Sequence, residues 1–467
     1  MKSSAAIARK MLALALAIAA NGFTARAALA DDADDRMKGF PSPLPTIATS
    51  LPGQDFRKSL SDRGINYGFV YTGEVLSNTS GGVRRGTIYE DLLETYVAFD
   101  LEKIAGLKGL SFYSNQFWIS GTGNLGSGYV GGMITISNIE ALPTGRLSEI
   151  WFQQKFLDDK LNVRVGQLTT DAEFFNSRYF TLFINSDWPT ITSQNLPSGG
   201  PAYPLSTPGI RFKYQPNTDW VFLLGLFNGD PSGVGFSAVN PQVKNPHGLN
   251  FRLNDPPLLI GEAQYSYNQH AGLAGTLRLG AWHHFGHFND QEFGTDGLSL
   301  ANPLSNGMPR QFLGDDGIYG IIDQQIYRPP GATADKGIAL FSRISGSPSD
   351  RNLIDFYADG GIVFNGMVPG RPNDNFGASV IYAHVSSRAS ALDRDQIAFS
   401  GMPFPIRNYE MTLDFTYQFQ ILPGWTVQPD FQYVFHPGGN IPDPNAALPT
   451  TTIKNAMIFG IRTDITY

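Results

Sequence analysis

The chain has 467 residues, no cysteine, 51 glycines and 31 prolines, with 12% aromatic and only 16% charged side chains. The missing cysteines exclude disulfide scaffolds and thiolate metal sites, and so low a charged fraction beside so many aromatics excludes a disordered chain. A formal net charge of -7 repels a phosphate backbone, so nucleic acid is not an expected partner.

The first expected element is an export signal. Lys2, Arg9 and Lys10 precede an apolar run from Met11 to Ala20, and Ala28-Leu29-Ala30 places small residues where a signal peptidase reads them. The run stops at Asn21, short of the roughly 18 to 20 apolar residues of a spanning helix. Residues 1–30 are therefore expected to be a signal peptide, and no later stretch approaches a membrane-spanning helix. An exported chain is then either soluble or inserted as a closed barrel, which satisfies every backbone group without long apolar runs. Residues 31–60, polar and proline-rich, are expected to form a periplasmic lead-in to a barrel over 61–467.

Beyond residue 60 the period changes to two. Alternating segments occur at 65–77, 88–101, 109–119, 148–158, 161–168, 208–215, 219–227, 259–267, 274–286, 318–326, 337–345, 354–366, 376–386, 408–420, 425–435 and 456–467, an even count of sixteen. In the clearest, Tyr409, Met411, Leu413, Phe415, Tyr417 and Phe419 share one face, and Glu410, Thr412, Asp414, Thr416, Gln418 and Gln420 share the other. Soluble sandwiches alternate too. Segments of about 9 to 13 residues with aromatics at the ends of the apolar face suit the girdles of an outer-membrane barrel. The connections also alternate: long ones at 120–147, 169–207, 228–258, 287–317, 387–407 and 436–455 interleave with short ones such as Asp159-Lys160. Short periplasmic turns and long external loops produce that asymmetry. The expected fold is an all-β, transmembrane antiparallel barrel of sixteen strands, of the outer-membrane porin type.

Several stretches resemble the carbohydrate-selective porins of Gram-negative outer membranes, the OprB-like family. They are Ser61-Asp62-Arg63-Gly64-Ile65, Glu149-Ile150-Trp151-Phe152-Gln153-Gln154, Asn162-Val163-Arg164-Val165-Gly166-Gln167-Leu168 and Asp171-Ala172-Glu173-Phe174-Phe175. Pro208-Gly209-Ile210-Arg211, Phe227-Asn228-Gly229-Asp230-Pro231 and His436-Pro437-Gly438-Gly439 complete the set. The resemblance implies a sixteen-stranded outer-membrane barrel that passes sugars such as glucose down a gradient. Two departures, Gly53-Gln54-Asp55-Phe56-Arg57 before the first strand and Tyr467 where Phe is usual, indicate a divergent branch and leave the sugar preference open.

A passive pore does no chemistry, so no catalytic residue, cofactor or metal is expected; the residues of interest narrow the lumen and replace a sugar's hydration. Alternation turns Arg164 and, on the next strand, Arg211 and Lys213 away from their apolar neighbours and into the lumen. Such groups either contact the solute or pair with lumen carboxylates. The long connection at about 169–207 exceeds what a plain turn needs and is expected to fold inward as the constriction. It carries Asp171, Glu173, Asn185, Asp187 and Trp188. Trp188 is read either as a platform for a sugar ring or as a packing anchor for the loop. Arg84 and Arg85, in the first external connection, are read against the pore mouth or anionic lipopolysaccharide.

Two signals are set aside. Gly121-Thr122-Gly123-Asn124-Leu125-Gly126 matches G-x-G-x-x-G, but the glycines that follow rule out the required helix. His283 and His284 point to opposite faces of a strand, which argues against joint metal binding with His287. The leading expectation is a passive outer-membrane channel for carbohydrates, with sugar solutes, outer-membrane lipid and lipopolysaccharide as partners. A general or ion-selective porin is the alternative, and a trimer and a monomer both stay open.

Overall fold

Alternating faces build a wall only when every strand finds two neighbours, and all sixteen strands of this chain do. The structure is a computed structural model and describes residues 46–47, 54–185, 188–233, 240–269 and 272–467. The expected signal peptide at 1–30 lies outside the described residues, as does most of the lead-in.

In chain order the strands are β1 (Ile65–Gly82), β2 (Gly86–Asp100), β3 (Leu110–Gly121), β4 (Thr144–Phe156), β5 (Leu161–Leu168), β6 (Thr207–Tyr214), β7 (Trp220–Asn228) and β8 (Pro257–Tyr267). They continue as β9 (Gly275–Gly294), β10 (Pro309–Tyr327), β11 (Gly337–Gly346), β12 (Ile354–Asn365), β13 (Asn375–Val385), β14 (Tyr409–Leu422), β15 (Trp425–Phe435) and β16 (Lys454–Thr466). Each pairs antiparallel with its sequence neighbours, and β1 pairs with β16 to close the barrel. Closure leaves no edge strand, which is the condition for a sheet to stand in lipid. No described helix is long and apolar enough to cross a membrane.

The two faces separate as the alternation requires. On β14, Glu410, Thr412, Asp414 and Thr416 are buried inside, whereas Phe415 and Phe419 are exposed on the outer face. Cross-strand aromatic pairs on that outer face mark both rims. Phe99, Phe112 and Phe152 form a ladder with centroids 5.6 and 5.1 Å apart, and Phe356, Tyr382 and Tyr409 form another at 6.4 and 5.3 Å. Rings at these levels suit the girdles of a membrane barrel.

Helix α1 (Gln54–Asp62) precedes the seam. Arg57 lies 4.9 Å from the Tyr467 ring, Tyr467 stacks on Phe69 at 5.0 Å, and the Tyr467 amide donates to Phe69 O at 2.9 Å. The C-terminal aromatic is thus a seam residue.

Strand boundaries follow the alternation to within about five residues except at β9 and β10. These reach Gly294 and start at Pro309, where the period-two pattern ends near 286 and resumes near 318. The added stretch pairs across two register shifts and carries Asp290, Glu292 and Arg310, with Arg310 on Asp290 at 2.5 Å. This part of the hairpin, with charged pairs and shifted register, lacks the period-two apolar pattern that marks the rest of the wall. Helix α2 (Leu101–Ala105) fills the connection between β2 and β3, capped by the Asp100 carboxylate on the Lys103 amide.

Candidate functional site

The β5–β6 hairpin carries the expected basic residues inward. Arg164 and Arg211 lie directly opposite each other, as do Asn162 and Lys213. Two guanidiniums side by side repel, and a carboxylate from the next loop offsets this: Glu173 accepts from Arg164 Nη1 at 2.8 Å and from Arg211 Nε at 2.8 Å. Burial pushes the Glu173 carboxyl up, but Arg211, Arg164 and Lys213 outweigh it and hold the group below the usual carboxylate range. Arg164 also lies 3.9 Å over the Trp151 ring and donates to Gln153 at 3.1 Å. Arg211 donates to Asn162 Oδ1 at 2.8 Å and to Gln153 at 3.1 Å. Both arginines are buried and engaged on the chain's own acceptors.

From Glu173 the 169–206 loop crosses the barrel interior. Phe175 stacks on Tyr319 of β10 at 3.6 Å; its amide donates to Glu262 of β8, and its carbonyl accepts from Arg343 of β11 at 2.8 Å. Ser177 and the Arg178 amide both donate to Asp323 of β10. Phe180 and Phe183 pack on Phe341, and the Leu182 carbonyl accepts from Gln428 of β15 at 2.7 Å. The chain therefore runs from β5 to the opposite wall and returns through α3 (Thr190–Asn195).

The other expected loop residues take these places. Asp171 accepts from the Tyr203 amide at 2.7 Å and ties the two ends of the loop together. Asn185 is fully buried and donates to Gln432 of β15 at 2.7 Å. Trp188 is 6% exposed, meets Phe175 edge-on at 5.5 Å and donates to Gly199 O at 2.9 Å, the geometry of a packing anchor. Asp187 lies outside the described residues. Glu173, Arg164 and Arg211 form one group, with Lys213 beside it; Asn185 and Trp188 stand elsewhere along the loop.

A second inward loop has no counterpart in the sequence reading. Residues 122–143, expected as a flexible external connection, bury Leu125, Val130 and Ile136 against Leu76, Ile88, Val434, Ala456 and Ile458 of the wall. Glu410 of β14 accepts the Met133 and Ile134 amides, each at 2.7 Å, and the Gly438 amide at 2.6 Å. Arg462 of β16 holds Ser137 and Asn138 at 3.1 and 2.8 Å, and the Asn138 amide donates to Ile184 O at 2.7 Å, joining the two loops. The glycine-rich segment that mimics a phosphate loop is occupied by the chain's own carboxyl, because the Gly126 amide lies 3.0 Å from both oxygens of Glu140. The signal for this loop is its apolar content: five residues from Leu125 to Ile139 are buried β-branched or leucine side chains, too many for a water-washed loop.

Arg178 is a further residue that strand alternation does not single out. It is exposed on the inward loop, with its guanidinium 5.8 Å from the Tyr179 ring. Arg84 instead stacks on Tyr129 at 3.9 Å and donates to Gly128 O, supporting the 122–143 loop, while Arg85 is exposed. His283 contacts Asp316 on the outer face at 2.5 Å, whereas His284 is buried against Gly229 O. No group of three or more metal-ligating side chains occurs among the described residues.

The model of the "Carbohydrate-selective porin, OprB family" matches residues 84–467. The chain is 25% identical over 442 residues to Porin B of Pseudomonas aeruginosa, covering 87% of this chain and 88% of that one. It is 21% identical to the putative porin QuiX of Acinetobacter baylyi over 84% of this chain and 92% of the other. Among solved structures, OprB of Pseudomonas putida at high pH superposes with a TM-score of 0.77 at 23% identity, covering 89% of this chain and 97% of that one, a likeness of fold. The closed barrel with its polar interior and the family match over most of its length agree: the chain belongs to the carbohydrate-selective porins of the OprB family, sugar-selective channels of the Gram-negative outer membrane.

Proposed function

We propose that the channel passes monosaccharides such as glucose by passive diffusion, and that the 169–206 loop forms its constriction. The observation that carries this reading is the crossing of that loop from the Arg164–Glu173–Arg211 group to Gln428 and Gln432 on the far wall. The two arginines, held by Glu173, Gln153 and Asn162, set the position and charge of the constriction. Lys213 and exposed Arg178 supply donors toward the water-filled part of the lumen, where a sugar exchanges hydration for hydrogen bonds. Asp171, Asn185 and Trp188 shape the loop that presents them. On the outside, exposed Arg85 serves as a contact for anionic lipopolysaccharide groups.

Purified protein in planar bilayers tests the reading. Glucose at millimolar concentration should block single-channel current, and Arg178→Ala should weaken that block while the open-channel current stays measurable. Strong ion selectivity with no block by any sugar in a panel would replace this reading with that of a general porin.

A further inference from the structure

The barrel wall is lowest at β5, β6 and β7, which have eight, eight and nine residues. At about 3.3 Å per residue and a tilt of about 40°, such strands rise roughly 20 to 23 Å, against an apolar band of about 25 Å. Neighbouring β4 has thirteen residues. Its pairing with β5 begins only at Ile150 opposite Gln167, so residues 144–149 keep an open edge toward the gap.

Residues 246–248, before β8, occupy that edge. Leu147 N donates to His247 O at 3.0 Å, Thr144 Oγ1 donates to Pro246 O at 2.9 Å, and His247 Nδ1 lies 3.0 Å from Gly145 O. Gln167 donates to Gly248 O at 2.7 Å. Gly248, at φ +66°, passes so close that a Cβ would stand 2.0 Å from Leu147 O. This segment stands where further residues of β5 would be. It starts at the level of Trp118, whose ring packs on Gly145 at the outer end of β3, and interfacial tryptophans sit at that depth of a membrane.

From Gly248 the chain passes over the missing tops of β5 to β7 and enters β8 at Pro257. On the way Leu249, Phe251 and Leu253 are 60, 50 and 47% exposed, the values of lipid-facing Trp118 and Phe152 at 52% and Leu224 at 47%. The two polar residues between them turn to their own chain: Asn250 Nδ2 donates to Lys244 O at 3.0 Å, and Arg252 clasps Asp255 at 2.7 and 2.6 Å. Three large apolar side chains within five residues are thus left uncovered by the rest of the chain.

We propose that residues 246–253 complete the lipid-facing wall above β5 to β7 and place Leu249, Phe251 and Leu253 among the acyl chains of the outer leaflet. The strap is a membrane-contacting element built from loop backbone: the β4 edge and Gln167 take up the carbonyls of residues 246–248, and the Phe251 and Arg252 amides donate to Leu249 O and Asn250 O.

The chain has no cysteine, so single substitutions Leu249→Cys, Phe251→Cys and Leu253→Cys can carry a nitroxide without background. The full-length protein is folded into liposomes, and label accessibility to oxygen and to a water-soluble nickel chelate is read by electron paramagnetic resonance. Phe222→Cys on the outer face of β7 and Leu304→Cys in the external turn, 42 and 85% exposed, are the lipid and water references. The oxygen-to-nickel ratio at the strap should match position 222 within about twofold and exceed position 304 by about fivefold or more. A ratio like that of position 304 overturns the proposal. Shielding from both reagents overturns it as well, because a protein then covers the strap. Heat-modified gel mobility selects closed barrels, and three independent positions keep the test decisive if one variant fails to fold.

Discussion

The two inward loops are held by different arrangements of wall charge. The 169–206 loop brings one carboxylate of its own, Glu173, to two wall arginines, and farther along its amides meet the wall carboxylates Glu262 and Asp323. The 122–143 loop docks where the wall is acidic: Glu74, Glu90, Asp414 and Asp430 are buried there, and Arg462, at 2.7 Å from Glu74, is the cation that faces them among the described residues. On that side the loop is held by apolar packing and by a carboxylate of the wall, Glu410, which takes backbone amides. The difference teaches that a loop can be fixed in a lumen through either partner's charge, provided each anchoring anion meets donors that are themselves positioned.

Removing the anchors one at a time separates the two modes. Glu410→Ala should be the most damaging change, because three charge-assisted bonds and their buried amides lose their acceptor together, a cost on the order of 4 kcal/mol or more. The expected readout is release of the 122–143 loop, seen as protease cleavage within it while the barrel keeps its heat-modified mobility. Glu173→Ala should follow at about 3 kcal/mol, since it strands two guanidiniums in a largely buried site. Single-channel conductance should rise and sugar block should fall; unchanged conductance would count against a constriction there.

Acidity should divide the loops in opposite directions. Glu173 is held below its ordinary value of 4.5, so its anchoring is complete above that value and is lost as pH falls through the lower folded value. Glu140 behaves in reverse. Burial pushes it from 4.5 to about 7, with the Gly126 amide opposing and Glu74 reinforcing, so the fit of the 122–143 loop is best below 4.5 and weakens as pH rises toward 7. Conductance followed from pH 3 to 8 should show a change at each end, and Glu140→Gln should abolish only the upper one. The smallest effect belongs to Trp188→Phe, which keeps the ring contact with Phe175 and loses one hydrogen bond, about 1 kcal/mol. Sugar block should barely move, and a large loss would restore Trp188 to the solute path.

Much of the wall is legible in the sequence. Alternation in segments such as 409–420 assigns faces because neighbouring side chains on a strand must point opposite ways. The inward direction of Arg164, Arg211 and Lys213 follows from the same local rule. It does not reveal that the arginines are occupied by Glu173, Gln153 and Asn162, or that Trp188 is packed beneath Gly199. The 122–143 loop reads as a flexible external connection only while its glycines are given more weight than its buried isoleucines.

Strand count, strand order and the lipid-facing side of each strand can be read from the chain alone, since these depend on a period of two and on connection length. Which loops enter the lumen, and what holds them, emerges only in three dimensions. Ile134 meets Glu410 across 276 residues, Asn138 meets Arg462 across 324, and Asn185 meets Gln432 across 247. Contacts so distant in sequence leave no local periodicity, and they exist because barrel closure brings β14, β15 and β16 around to face loops that left the wall after β3 and β5.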